Sequence, residues 1–155
     1  MKFLCDDNLG KLATYLRLLG YDTFYQATIS DAQVLSTMLK EGRVVLTKDH
    51  NLASRIEPTS LVLIESDNPE QQIRQVIERL RLKSDQALLF SRCLLCNSEC
   101  LNVSKDEIKE RVFPYILRTK ETFKKCPTCG RIYWQGSHYK DMVARLKEIF
   151  GGEIL

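Results

Sequence analysis

Two short cysteine pairs constrain this chain more than any other feature. Cys93-Leu-Leu-Cys96 and Cys126-Pro-Thr-Cys129 are separated by the 29 residues 97–125. Each CxxC pair puts two thiolates on one tight turn, and two such turns complete a tetrahedron of soft ligands suited to Zn²⁺. Cysteine then fills all four corners, which leaves no position for a catalytic water and points to a structural ion. The insert exceeds the usual spacing of roughly 15–20 residues, so it is expected to carry structure of its own. Gly130 after the second pair supplies turn chemistry that lets backbone N–H groups approach sulfur. Cys100 could stand in for Cys96, although the symmetric pairing fits better. Cys5 reads as a small buried hydrophobe on the first strand.

The compartment supports a metal rather than disulfides. The opening MKFLCDDNLG meets two aspartates by position 7 and has no signal-peptide core. No apolar run approaches the roughly 18 residues of a membrane span. A cytoplasmic location without a membrane partner is expected, and there six cysteines favour metal binding.

Upstream of the cysteines, strand and helix signals alternate. Strands are expected at Lys2–Cys5, Tyr21–Tyr25, Arg43–Thr47 and Leu61–Glu65. Leu9, Leu12, Ala13, Leu16 and Leu19 recur at helical spacing before a stop at Gly20. Ser30 and Gln33 form a capping-box pattern ahead of a helix that Gly42 closes. A short helix is expected over His50–Arg55, and Pro69 opens one with Ile73, Val76, Ile77 and Leu80 inward. Strand–helix repeated four times predicts an α/β fold, a parallel sheet with helices on both faces. This reading divides the chain into an α/β domain, residues 1–84, and a small metal-bound domain, residues 85–155. The second is expected to hold a helical stretch near Lys105–Val112, a break at Pro114 and a closing helix about His138–Phe150.

Three aspartates share a predicted location. Asp6 ends the first strand, Asp31 begins the helix after the second, and Asp49 follows the third. In a parallel sheet these positions fall on one edge, where such folds place their sites. Carboxylates gathered there repel unless a cation intervenes, and Mg²⁺ or Mn²⁺ suits oxygen ligands and phosphodiester hydrolysis. Each aspartate also fits a plain helix cap. Asp7 points the other way on an extended chain, Asp67 could reach the same edge, and His50 could touch a phosphate.

Charge adds less than its position does. Residues 1–84 hold 11 basic and 11 acidic side chains, so the net +3 belongs wholly to residues 85–155. A Zn²⁺ held by four thiolates contributes −2 and nearly cancels it. Clustering is more informative: Arg118, Lys120, Lys124, Lys125 and Arg131 lie within fourteen positions, interleaved with Phe123, Tyr133 and Trp134. Cations beside aromatic faces suit phosphates and stacked bases, so RNA is the expected partner. A solvated charged surface over ordinary core aromatics accounts for the same residues.

FLCDDNLGKLATYLRLLGYDT, SDAQVL, EGRVVLTKDHNL, RCLLCN and CPTCGRIYWQGSHY together resemble the Mut-seven carboxy-terminal RNase domain family, over about residues 2–146. The resemblance implies a PIN-like nuclease fold joined to a zinc ribbon, and metal-dependent ribonuclease activity. It matches Asp6 to the first acid and Asp31 and Asp49 to the late pair, with Thr47 in the T-x-D pattern as a helper that hydrogen-bonds a ligand or phosphate. Cys93, Cys96, Cys126 and Cys129 match the ribbon ligands. The intermediate acid of larger PIN nucleases has no counterpart between Asp6 and Asp31. The exonuclease domain that precedes this module in the family's namesake has none here either, so exonuclease activity is not expected. A non-catalytic RNA- or ribosome-binding adaptor with a vestigial acid site is the alternative. Oligomerisation is left open by the sequence.

Overall fold

Strand β1 (Lys2–Cys5) forms the centre of a four-stranded parallel sheet with β2 (Asp22–Tyr25), β3 (Val44–Thr47) and β4 (Leu61–Leu63), in the order β2-β1-β3-β4. This computed structural model describes residues 1–152; residues 153–155, the end of the expected second domain, lie outside the described residues. The apolar runs alternate faces with the period of two that strands impose. Phe3, Cys5 and Leu46 join one core, while Leu4 and Val45 join the other.

Helices cover both faces, as the repeated pattern predicts. Helices α1 (Gly10–Leu18) and α4 (Pro69–Leu80) lie in the Phe3 core, and α2 (Asp31–Glu41) and α3 (His50–Ala53) in the Leu4 core. The capping box of Ser30 and Gln33 is present, and Gly42 ends α2 in the left-handed conformation at φ 63°. Asn68 caps α4 through the amides of Glu70 and Gln71, with Pro69 in the first turn.

The 29-residue insert carries structure, as its length requires. Three short antiparallel strands, β5 (Leu101–Val103), β6 (Phe123–Lys125) and β7 (Ile132–Trp134), make a second sheet in that order. Helices α5 (Lys105–Ile108) and α6 (Pro114–Thr119) bury Ile108, Val112 and Phe123 beneath it. The expected break at Pro114 is also a beginning. Proline lacks the N–H that a first helical turn leaves unused, so it opens α6.

The last helix, α7 (Ser137–Ile149), returns to the first sheet. It lies against α4 and adds Leu146 and Ile149 to the Phe3 core. The connecting segment is equally fixed. Gly20 stands at φ +90°, and a Cβ there would fall 2.7 Å from the Leu88 carbonyl oxygen, so only glycine fits. Among the described residues no helix is long and apolar enough to cross a membrane.

Candidate active site and cysteine centre

At the carboxyl edge of the parallel sheet, Asp6 and Asp49 are joined through Thr47. The β1–β3 register pairs Cys5 with Leu46, so the next step brings Asp6 beside Thr47. The Thr47 hydroxyl donates to Asp6 Oδ2 at 2.6 Å and accepts the Asp49 amide N–H at 3.0 Å. Asp6 Oδ1 accepts the Asp7 amide at 2.8 Å. Asp6 is 7% exposed and Thr47 fully buried. The threonine is thus a bracket between two acids rather than a group in reach of solvent. Asp49 is exposed and caps α3, with Oδ1 accepting from the amides of Asn51 and Leu52. Among the described residues its Oδ2 engages no donor.

Two further acids of this edge already have cations beside them. Asp31 lies in the first turn of α2 and pairs with Arg55 at 3.4 Å. Asp67 pairs with Lys48. Asp7 and His50 are exposed. Among the described residues the four cysteines are the only group of three or more potential ligands within 4.8 Å of one another. Asp6, Asp31 and Asp49 therefore share an edge without forming one compact cluster.

Cys93, Cys96, Cys126 and Cys129 are brought together. Sγ–Sγ distances are 3.6 Å for Cys93–Cys129 and 3.3 Å for Cys96–Cys126. A tetrahedron with metal–sulfur bonds of about 2.3 Å has edges of about 3.8 Å, so the donor set suits a metal such as zinc with a small expansion. Each pair ends on a left-handed residue, Asn97 at φ 70° and Gly130 at φ 74°, and the Cys129 amide reaches Cys126 Sγ at 3.4 Å. Burial pushes the Cys93 thiol up, but hydrogen bonding to Tyr133 and to the backbone of Cys96 and Leu95 outweighs it and brings it to about 6. A thiol so lowered is ready to lose its proton to a metal. Cys100 stays outside the group, its thiol pushed up to about 12 by burial and by the neighbouring thiolates.

Arg17 and Asn97, which no motif singles out, tie this centre to the first sheet, and Tyr133, expected as an aromatic of the basic patch, hydrogen-bonds within the centre itself. Arg17 is 4% exposed and donates to the carbonyls of Thr23, Leu94 and Leu95. Asn97 accepts the Thr23 amide at 2.9 Å and donates to Asp22 Oδ1 at 2.8 Å. Tyr133 Oη sits 3.1 Å from both the Cys93 sulfur and the Leu94 amide. Signals existed for two of them. Arg17 follows Ala13 by four residues and so continues the apolar stripe of α1. Asn97 occupies the place after CxxC that Gly130 occupies in the second pair.

The basic residues divide among several surfaces. Lys120 and Arg131 line one groove together, whereas Lys124 lines another. Lys125 shares a strand face with Phe123, and Arg118 is exposed on α6.

No solved structure matches the chain. A human protein described as exonuclease mut-7 homolog is 30% identical over 115 residues, which cover 70% of this chain but 13% of that protein. The Mut7-C RNAse domain matches residues 1–146. That match spans nearly the whole length, and the chain belongs to the Mut7-C RNAse domain family.

Proposed function

We propose that this chain is a divalent-metal-dependent ribonuclease whose chemistry lies at Asp6 and Asp49. The observation that carries the reading is the buried Asp6 carboxylate held by Thr47 at the strand edge, in line with Asp49. Two carboxylates suffice for Mg²⁺ or Mn²⁺, which bind through one or two acids, waters and substrate phosphates. Such an ion lowers the pKa of a bound water and neutralises charge on the scissile phosphate. Asp31 contributes once it is released from Arg55. Thr47 acts through Asp6 as a positioning residue. Zn²⁺ at the four cysteines is structural, and Arg118, Lys120, Lys124, Lys125 and Arg131 attract RNA to the second sheet. The whole reaction of the longer human relative, of which this chain spans a small part, does not enter the proposal.

The test is cleavage of labelled RNA by the purified chain with Mn²⁺. Chelator stops it, and Asp6→Asn and Asp49→Asn each reduce it at least a hundredfold. Undiminished cleavage by both variants overturns the assignment. The pairing of Asp31 with Arg55 and the loose spacing of the acids favour one second reading, an RNA-binding adaptor without catalysis. That reading gains if wild-type chain binds RNA and leaves it intact with either metal.

A further inference from the structure

A groove of about 720 Å³ runs between the second sheet and the start of α7. Tyr115 of α6, Lys120 just after it, Arg131 and Trp134 beside and on β7, and His138 and Tyr139 of α7 line it. Its lining includes Lys120, Arg131 and five phenylalanine, tyrosine and tryptophan rings, and among the described residues no aspartate or glutamate. Tyr115 is 65% exposed, and Phe113, two residues away, is 82% exposed. Large rings left uncovered at a cationic groove need a flat, anionic occupant. An unpaired nucleotide has both properties: every base offers a π-face, and each phosphate carries a charge.

The groove does not end at α7. His138 also lines a second groove of about 530 Å³, shared with Lys11, Asn68 and Arg145 and with the acids Glu70 and Asp141. Lys11 belongs to α1 and Asn68 caps α4, the helices that leave the carboxyl ends of β1 and β4. A strand lying in the first groove can therefore cross His138 toward the edge that holds Asp6 and Asp49.

We propose that the groove between α6, β7 and α7 is a subsite for single-stranded RNA. Bases stack on Tyr115 and Trp134, phosphates contact Lys120 and Arg131, and His138 marks where the strand turns toward the acidic edge. This inference rests on the ribonuclease reading for the fate of the strand, but not for its binding.

Trp134 is the sole tryptophan of the chain, so its fluorescence reports the groove directly. The experiment titrates full-length Asp6→Asn chain with a twelve-nucleotide single-stranded RNA and with its duplex, without Mn²⁺. Single strand should quench Trp134, and duplex should bind at least tenfold more weakly. Tyr115→Ala and the pair Lys120→Gln with Arg131→Gln should each weaken binding about tenfold. The double variant should also lower the salt dependence by about 1.4, the contribution of two phosphate contacts to a single strand. Circular dichroism of each variant confirms that the fold is kept. Equal binding of the duplex, an unquenched Trp134 at saturation, or displacement of RNA by an acidic polypeptide at matching charge concentration overturns the proposal. Quenching with no cleavage by wild-type chain sinks the ribonuclease reading alone. Cleavage with no quenching sinks the groove alone.

Discussion

Thr47 shows how one hydroxyl can set a site. It donates to one acid and accepts from the amide of the other, so its removal disturbs both. Thr47→Val keeps the shape and leaves Asp6 Oδ2 without a donor. We expect a loss of about 1–2 kcal/mol in stability and a larger relative loss of RNA cleavage. Thr47→Ser should restore most of the activity; if serine fares no better than valine, the hydroxyl is not what matters. Asp22 is a second telling residue. Burial pushes its carboxyl up, but hydrogen bonds from Arg43 and Asn97 and the nearby guanidinium charges outweigh this and hold it below the ordinary range. A group held low in the folded state stabilises fully above its unfolded value of about 3.9 and loses that contribution as pH falls through the folded value. Acid denaturation of wild type should therefore steepen below about pH 4, and Asp22→Asn should flatten that limb in urea titrations followed by circular dichroism.

Elements were legible where their signals were long. The capping box, the Pro69 start and the leucine stripe of α1 appear where sequence placed them. The strands β5, β6 and β7 have three residues each, too short for a period of two to stand out. They exist because pairing and the Ile108–Phe123 core hold them, which is tertiary information. The segment after α4 makes the same point from the other side. Gly20 reads as a helix stop, but its second role against Leu88 comes from a residue far along the chain. Gly20→Ala would have to adopt φ +90° and displace backbone at 2.7 Å. We expect a cost of about 2–3 kcal/mol, measurable as a lower midpoint in denaturant. A loss below half a kcal/mol would show that the connecting segment yields freely.

At the scale of the molecule the two sheets are not independent. Arg17 and Asn97 fasten the first cysteine turn to β2, and α7 carries the chain back into the first core. Loss of a metal held by the four cysteines should therefore be felt beyond residues 93–134. Chelation with EDTA is expected to lower the melting temperature of the α/β sheet itself, read by calorimetry. Arg17→Met removes three hydrogen bonds at the seam and should lower stability by about 2 kcal/mol while reducing the further drop on chelation. A chelator-induced shift of equal size in wild type and variant would place the coupling elsewhere.

By itself the sequence determined the classes of structure. Hydrophobic periodicity, caps and glycine stops are local, so the strand–helix alternation and its parallel sheet could be read along the chain, as could the metal-binding character of two CxxC turns. Only the tertiary structure decided which groups meet. Asp6, Thr47 and Asp49 are linked because of register between β1 and β3, and Asp31 is set apart by Arg55, a partner 24 residues later. Lys120 and Arg131 share a groove while Lys124 lines another, because Lys120 lies just past α6 and Arg131 just before β7, whereas Lys124 is held within β6. Side-chain proximity between distant segments depends on register and packing, and neither is written in any local stretch of residues.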